Sequence, residues 1–490
     1  VAALSTAQVA ALSTAQVAGF DTKQIAALST RQAAVLTAAQ VQNLSTAQVA
    51  AIETADLAAM TTAQISNLST AQVSALTTRQ VAGMTTAQVA NLSTAQIQAL
   101  NSGQLASMNS GQLVQLTNVQ MGFIGTAAIT GVDLIDLAAM TTAQLSGLST
   151  AQVSSLTTRQ VEGLTSTQVA SLSTAQLSNL TVSQIAALET RDLVEIDTTK
   201  LDDLTTAQIA SLTTRQVTSL TTAQVAALST AQVSAFDTKQ VAALNTTQSS
   251  ALTAAQIQNL STAQVAAIET ADLAAMTTAQ ISNLSTAQVS VLTTRQIEGL
   301  TSTQVDSLST AQLSNLTVGQ IAAMETRDLV EIDTTKLDDL TTAQVASLKT
   351  EQVAALSTAQ VAALSTAQVA GFDTKQIAAL STRQVAVLTA AQIQNLSTAQ
   401  VAAIETADLA AMTTAQISNL STAQVSVLTT RQIEGLTSTQ VDSLSTAQLS
   451  NLTVGQIAAM ETRDLVEIDT TKLDDLTTAQ IASLTTRQVT

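Results

Sequence analysis

The residues best equipped for chemistry lie in one acidic block, Glu189, Arg191, Asp192, Glu195, Asp197, Lys200, Asp202 and Asp203, which recurs intact at 325–339 and 461–475. Carboxylates are hard oxygen donors, so the chemistry this block offers is calcium binding, with Asp192, Glu195, Asp197, Asp202 and Asp203 as ligands. A second reading needs no metal. Glu189 and Asp197 stand where helix caps are expected and Asp192 at a capping-box position, where negative charge complements a helix start. Arg191 and Lys200 neutralise part of the charge, and the spacing follows no EF-hand loop. The chain has no His and no Cys, hence no imidazole base, thiolate or soft-metal site. Ser and Thr are plentiful, yet no Lys recurs beside a Ser to activate it, and pairs such as Asp202 and Asp203 read as solvated charge. The expectation is a protein that is not an enzyme and carries no cofactor.

These residues are carried by an octapeptide repeat that runs through 61 octads without an insertion or deletion. The consensus is V-A-A-L-S-T-A-Q. Position 1 is Val, Ile, Leu or Met except at Ala33 and Ser249, position 4 is always apolar, and position 8 is Gln in 50 octads. Ser or Thr followed three residues later by Gln is a capping box, and the apolar residues just before the cap and four after it form a hydrophobic staple. Each octad therefore contains a helix start. Eight of the 14 glycines, among them Gly83, Gly131 and Gly147, fall at position 3, where Asn43, Asn67 and Asn91 also occur. Both residue types tolerate the left-handed conformation that ends many helices, so a stop is expected there.

A single long helix is a competing reading that the spacing disfavours: apolar residues alternately 3 and 5 apart average 4.0, and the stripe would wind around the helix. A β-solenoid is the alternative fold, but positions 1 and 4 have opposite parity and would face opposite sides of a strand. The expected fold is all-α, an α-solenoid of very short capped helices, one per octad, stabilised by stacking because isolated helices of this length are unstable. With two octads per coil it makes about 30 coils and a rod on the order of 300 Å long.

Residues 1–490 read as one continuous array, and Thr490 stops two residues into an octad, as expected of a window from a longer one. Residues 233–344 recur at 369–480, an offset of 17 octads. Residues 81–160 are an apparent ten-octad insertion relative to the later copies, and 121–136 is the stretch where the pattern decays. There Phe123 and Ile124 mark a possible kink or lateral contact. The formal charge of -17 opposes binding to nucleic acid, and no apolar run is long enough to span a membrane. Regular Thr at position 6 raises an ice-binding reading, but stacked helices space such residues about twice the 4.7 Å of a strand ladder.

The string L-S-T-A-Q-V-A-A-L-S-T-A-Q-V resembles very long bacterial proteins built from L-[ST]-T-x-Q-[VIL]-x-x octapeptides, often labelled as haem-utilisation or adhesion proteins. The resemblance spans the whole chain. Of the usual haem ligands only Met is present. A shorter likeness, L-T-x-x-Q-V, is to the first helix of DNA-reading TAL-effector repeats, without the remainder of that repeat. The expectation is a non-enzymatic structural protein at the bacterial surface or outside the cell, self-associating into a filament, sheath or matrix fibre. The alternative is the spacer stalk of an adhesin; calcium-, glycan- or ice-binding is a third class, with glycans or the cell surface as partners.

Overall fold

A computed structural model describes Val1 and residues 3–490. Among the described residues it contains 61 α-helices of four to six residues, one per octad, and no strand. The chain divides into two compact units, Val1–Leu252 and Thr253–Thr490. Both are α-solenoids.

Helices this short form because both ends are satisfied. At the Thr214–Ser219 helix the Gln216 N–H donates to Thr213 Oγ1 at 3.2 Å, and the Thr213 N–H donates to Gln216 Oε1 at 2.8 Å. This is the expected capping box. The same Gln side chain does something the local sequence does not announce: its Nε2 donates to the main-chain carbonyls of Ile185 at 2.9 Å and Leu188 at 2.8 Å. Those carbonyls lie at the end of the Val182–Ala187 helix, in the coil below. One amide thus starts its own helix and closes another's C-terminus, where orphan carbonyls otherwise need water or a cap. The arrangement recurs at Gln112, which bonds Val81 and Met84, and at Gln344, which bonds Leu313 and Leu316.

The packing of helix on helix fixes the coil. Within each unit the well-packed helix pairs lie three octads apart, so a coil has three sides, with one octad to each side; the Gln216 amide reaches the carbonyls just before the Thr190–Leu193 helix, on which its own helix packs. Two octads per coil, the expectation from sequence, is therefore corrected to three. The apolar residues show why. Positions 1 and 4 are both buried, as at Val217 (0% exposed) and Leu220 (3%), so every side contributes two core residues to a shared interior. A coil of three sides encloses that interior, whereas two would leave a flat pair of helices with one apolar flank uncovered. The two acidic blocks of the C-terminal unit are 17 octads apart, five coils and two sides. They consequently stand in different helix stacks.

The helix stops also differ from expectation. No described residue has a positive φ, glycine included. Gly147 closes its helix at φ -74°, ψ -14°, and Asn43 at φ -89°, ψ -1°. Asn43 acts through its side chain, whose Nδ2 donates to the Ala39 carbonyl at 2.8 Å. Because a glutamine of the next coil closes the helix end, the left-handed turn is not needed. Glycine serves close approach instead. A Cβ on Gly147 would lie 2.9 Å from Asn118 Cβ and 3.0 Å from its carbonyl carbon, and Gly83, Gly299 and Gly435 face the Cγ2 methyls of Thr54, Thr270 and Thr406 in the coil below.

Candidate functional site

Since position 8 is where a side chain reaches between coils, the octads lacking Gln there are the informative ones. Lys200, Lys336 and Lys472 keep the donor role. Lys200 Nζ donates to the Ala170 carbonyl at 2.6 Å, and Lys336 and Lys472 reach the carbonyls of Asp306 and Asp442, whose carboxylates lie 3.4 and 3.5 Å away. Ala128 is buried and has no donor to offer. Seven octads carry Asp, which when ionised can only accept.

The aspartates fall into two groups. Asp192, Asp328 and Asp464, in the motif E-T-R-D, are wholly buried. A serine hydroxyl from the coil below donates to one oxygen of each: Ser166 to Asp192 at 2.6 Å, Ser302 to Asp328 at 2.7 Å, and Ser438 to Asp464 at 2.8 Å. Arg191 bridges Glu189 at 2.6 Å and Asp192 at 3.5 Å, a pairing repeated by Arg327 and Arg463. The second oxygen, Oδ2, of all three aspartates has no hydrogen-bond partner. Burial pushes the Asp192 carboxyl above its ordinary range, against the Ser166 hydrogen bond and the Arg191 charge. Asp192 thus forms no capping box, and Glu189, although it is the N-cap residue, makes no side-chain cap bond. The Asp side chain is one methylene shorter than Gln and turns to Ser166 instead.

The second group lacks the arginine. Asp56, Asp272 and Asp408 lie in E-T-A-D and Asp136 in D-L-I-D, all 5 to 7% exposed. Burial, and then the charge of Glu53, Asp133 or Glu269, raises Asp56, Asp136 and Asp272, the last to about 6. Burial also raises Asp408, opposed by a Thr382 hydrogen bond and reinforced by Glu405.

The calcium candidates do not converge. Asp192 is interior, whereas Glu195, Asp197, Asp202 and Asp203 are exposed, and no three acidic side chains among the described residues gather to hold a metal ion. Asp197 caps its helix as expected: its carboxylate accepts from the Thr199 hydroxyl at 2.5 Å and the Lys200 N–H at 3.0 Å, which hold it below the usual range. Ile124 is a core residue, 3% exposed, while Phe123 is 46% exposed and ends the Asn118–Gly122 helix. Helix stacking continues on both sides of them. Open grooves lie beside E-T-x-D helices, such as one bounded by Glu162, Glu189 and Arg215. The carbonyl-directed Gln amides and the serines under E-T-R-D were not found from the octad alone. Comparing octads three apart would have exposed the serines, since Ser166, Ser302 and Ser438 replace the usual Thr in the octad one coil before each E-T-R-D aspartate.

Fold and surface together define an α-solenoid repeat protein whose chemistry is directed at its own coils. The sequence profile of the ALTTAQ repeat matches residues 1–30, 49–86, 81–118, 134–166, 185–222, 218–246, 265–302, 321–358, 350–382, 361–398, 401–438 and 457–490. The chain belongs to the ALTTAQ repeat family. No curated protein matches it, and no helix among the described residues is long and apolar enough to cross a membrane.

Proposed function

We propose that the chain is a non-enzymatic structural protein of bacterial origin, exported to the cell surface or beyond, that self-associates into a filament, sheath or matrix fibre. The supporting observation is the glutamine bond between coils, repeated through both units in the manner of Gln112 and Gln344. It dedicates the most regular polar side chain of the sequence to cohesion and leaves it buried, where no ligand meets it.

Electron cryomicroscopy of native material tests the proposal. Continuous fibres with a layer repeat of about 10 Å, the spacing of packed helices, are the expected result. Separate particles, each carrying a distinct binding head, would replace the fibre by an adhesin stalk.

A further inference from the structure

Ten of the 14 asparagines fall at position 3 and read Asn-Leu-Ser or Asn-Leu-Thr, from Asn43-Leu44-Ser45 to Asn451-Leu452-Thr453. At positions 2 and 7, which are also largely exposed, asparagine never occurs. Of these three places only position 3 is followed, two residues on, by the Ser or Thr of the next cap. Asn-x-Ser/Thr with x other than Pro is the acceptor sequence for N-linked glycans.

The folded chain presents these residues in a form that a sugar fits. Asn43, Asn67 and Asn91 end the helices Ala38–Gln42, Thr62–Ser66 and Thr86–Ala90 and are exposed, as are Ser45, Ser69 and Ser93, which cap the helices that follow. At all ten positions the Asn Nδ2 donates to the carbonyl four residues back, at 2.6–2.8 Å. A side-chain amide has two N–H groups. One makes this bond, so the other can be exchanged for a sugar with the helix end kept closed. Closure itself does not demand asparagine, since Gly19 and Ala27 end helices at the same place. The helices ending at Asn43, Asn67 and Asn91 pack on one another in consecutive coils, which sets the three side chains in one row about 8–10 Å apart.

We propose that the Asn-Leu-Ser/Thr asparagines carry N-linked sugars, with Asn43, Asn67 and Asn91 forming a glycan row on one side of the N-terminal unit. This rests on the exported reading above. In the transfer Nδ2 bonds to the anomeric carbon of a diphosphate-activated sugar, the bond from that carbon to the phosphate oxygen breaks with its electron pair on the leaving diphosphate, and the displaced Nδ2 proton passes to a basic group of the transferase. Between residues 38 and 98 no other Asn-x-Ser/Thr occurs, so the remaining two sides of these coils stay bare for contact between chains.

Mass spectrometry of the chain purified from surface material of its native host, with electron-transfer fragmentation that leaves sugars on their residue, tests this. Hexose-containing additions are expected on Asn43, Asn67 and Asn91, with Asn118, exposed but followed by Val-Gln, unmodified. Single hexoses would mark a nucleotide-linked donor and one uniform oligosaccharide a lipid-linked donor, and either fulfils the proposal. Ser69→Asp keeps a helix cap but removes the hydroxyl, and is expected to abolish the sugar on Asn67 alone, whereas Ser69→Thr is expected to retain it. Bare asparagines in surface material, or sugars confined to Ser and Thr, would overturn the proposal and leave export standing. Recovery of bare chain from the cell interior alone would overturn both.

Discussion

Gln216→Glu destabilises the N-terminal unit by about 3 kcal/mol or more at pH 7, although it changes one NH2 to O. The side chain is 2% exposed, and its Nε2 lies 2.9 and 2.8 Å from two carbonyl oxygens. After the exchange, three oxygens face one another in a buried site. Removing a buried donor costs about 1–3 kcal/mol and a charge adds to it. Gln216→Leu separates the contributions: it removes the charge and keeps the volume, but leaves the Thr213 N–H and both carbonyls without the amide, at about 2–4 kcal/mol. The Glu variant, unlike the Leu variant, regains stability on acidification, because protonation restores a donor. Denaturant unfolding at pH 7 and pH 5 checks both statements. A Glu variant within about 0.5 kcal/mol of the parent would show that the inter-coil amide bonds contribute no net stability.

The second large effect is steric. A Cβ on Gly131 would lie 2.7 Å from the Ser102 carbonyl carbon and 2.8 Å from its Cα, so Gly131→Ala forces main chain of adjacent coils apart. Overpacking costs about 1–3 kcal/mol, and the rigid partner places this case at ~3 kcal/mol. Gly319 is the internal control. It lies within the Val318–Ala323 helix, the nearest atom to an added Cβ is 3.9 Å away, and Gly319→Ala is expected to stabilise by about 0.5–1 kcal/mol through helix propensity. Thermal melting of the two variants distinguishes glycine used for contact from glycine merely tolerated. A common sign for both would contradict that distinction.

Helix formation was legible in the octad because it is a local matter. Thr213 and Gln216 are three residues apart, and their reciprocal bonds follow from spacing alone. Burial at positions 1 and 4 was legible for the same reason. The number of sides was not, since it is set by contacts made a full coil away that involve main-chain carbonyls, and every residue has one. Composition points to a different role for glycine because Gly and Asn share a tolerance for positive φ that no described residue uses. At the acidic block, composition suggested a shared ligand, yet the three-sided coil turns Asp192 inward and leaves Glu195 and Asp203 outside. Alternation between inside and outside within one block depends on which residue falls at position 8, and that significance appears only once the coil is known.

The glutamine bonds end on main-chain carbonyls, which do not depend on what side chain the partner octad carries. Such joints are indifferent to identity, as courses of brick are to which brick lies beneath. Whole octads can be gained or lost in the gene at any point, and every surviving glutamine finds an acceptor in its new neighbour. A change by a multiple of three octads leaves each later surface pattern above its former place, while any other number turns it to another side of the coil. The ten-octad segment 81–160 is of the second kind. Copy number and the angular arrangement of surface features can therefore drift by recombination alone, with the interior unaffected.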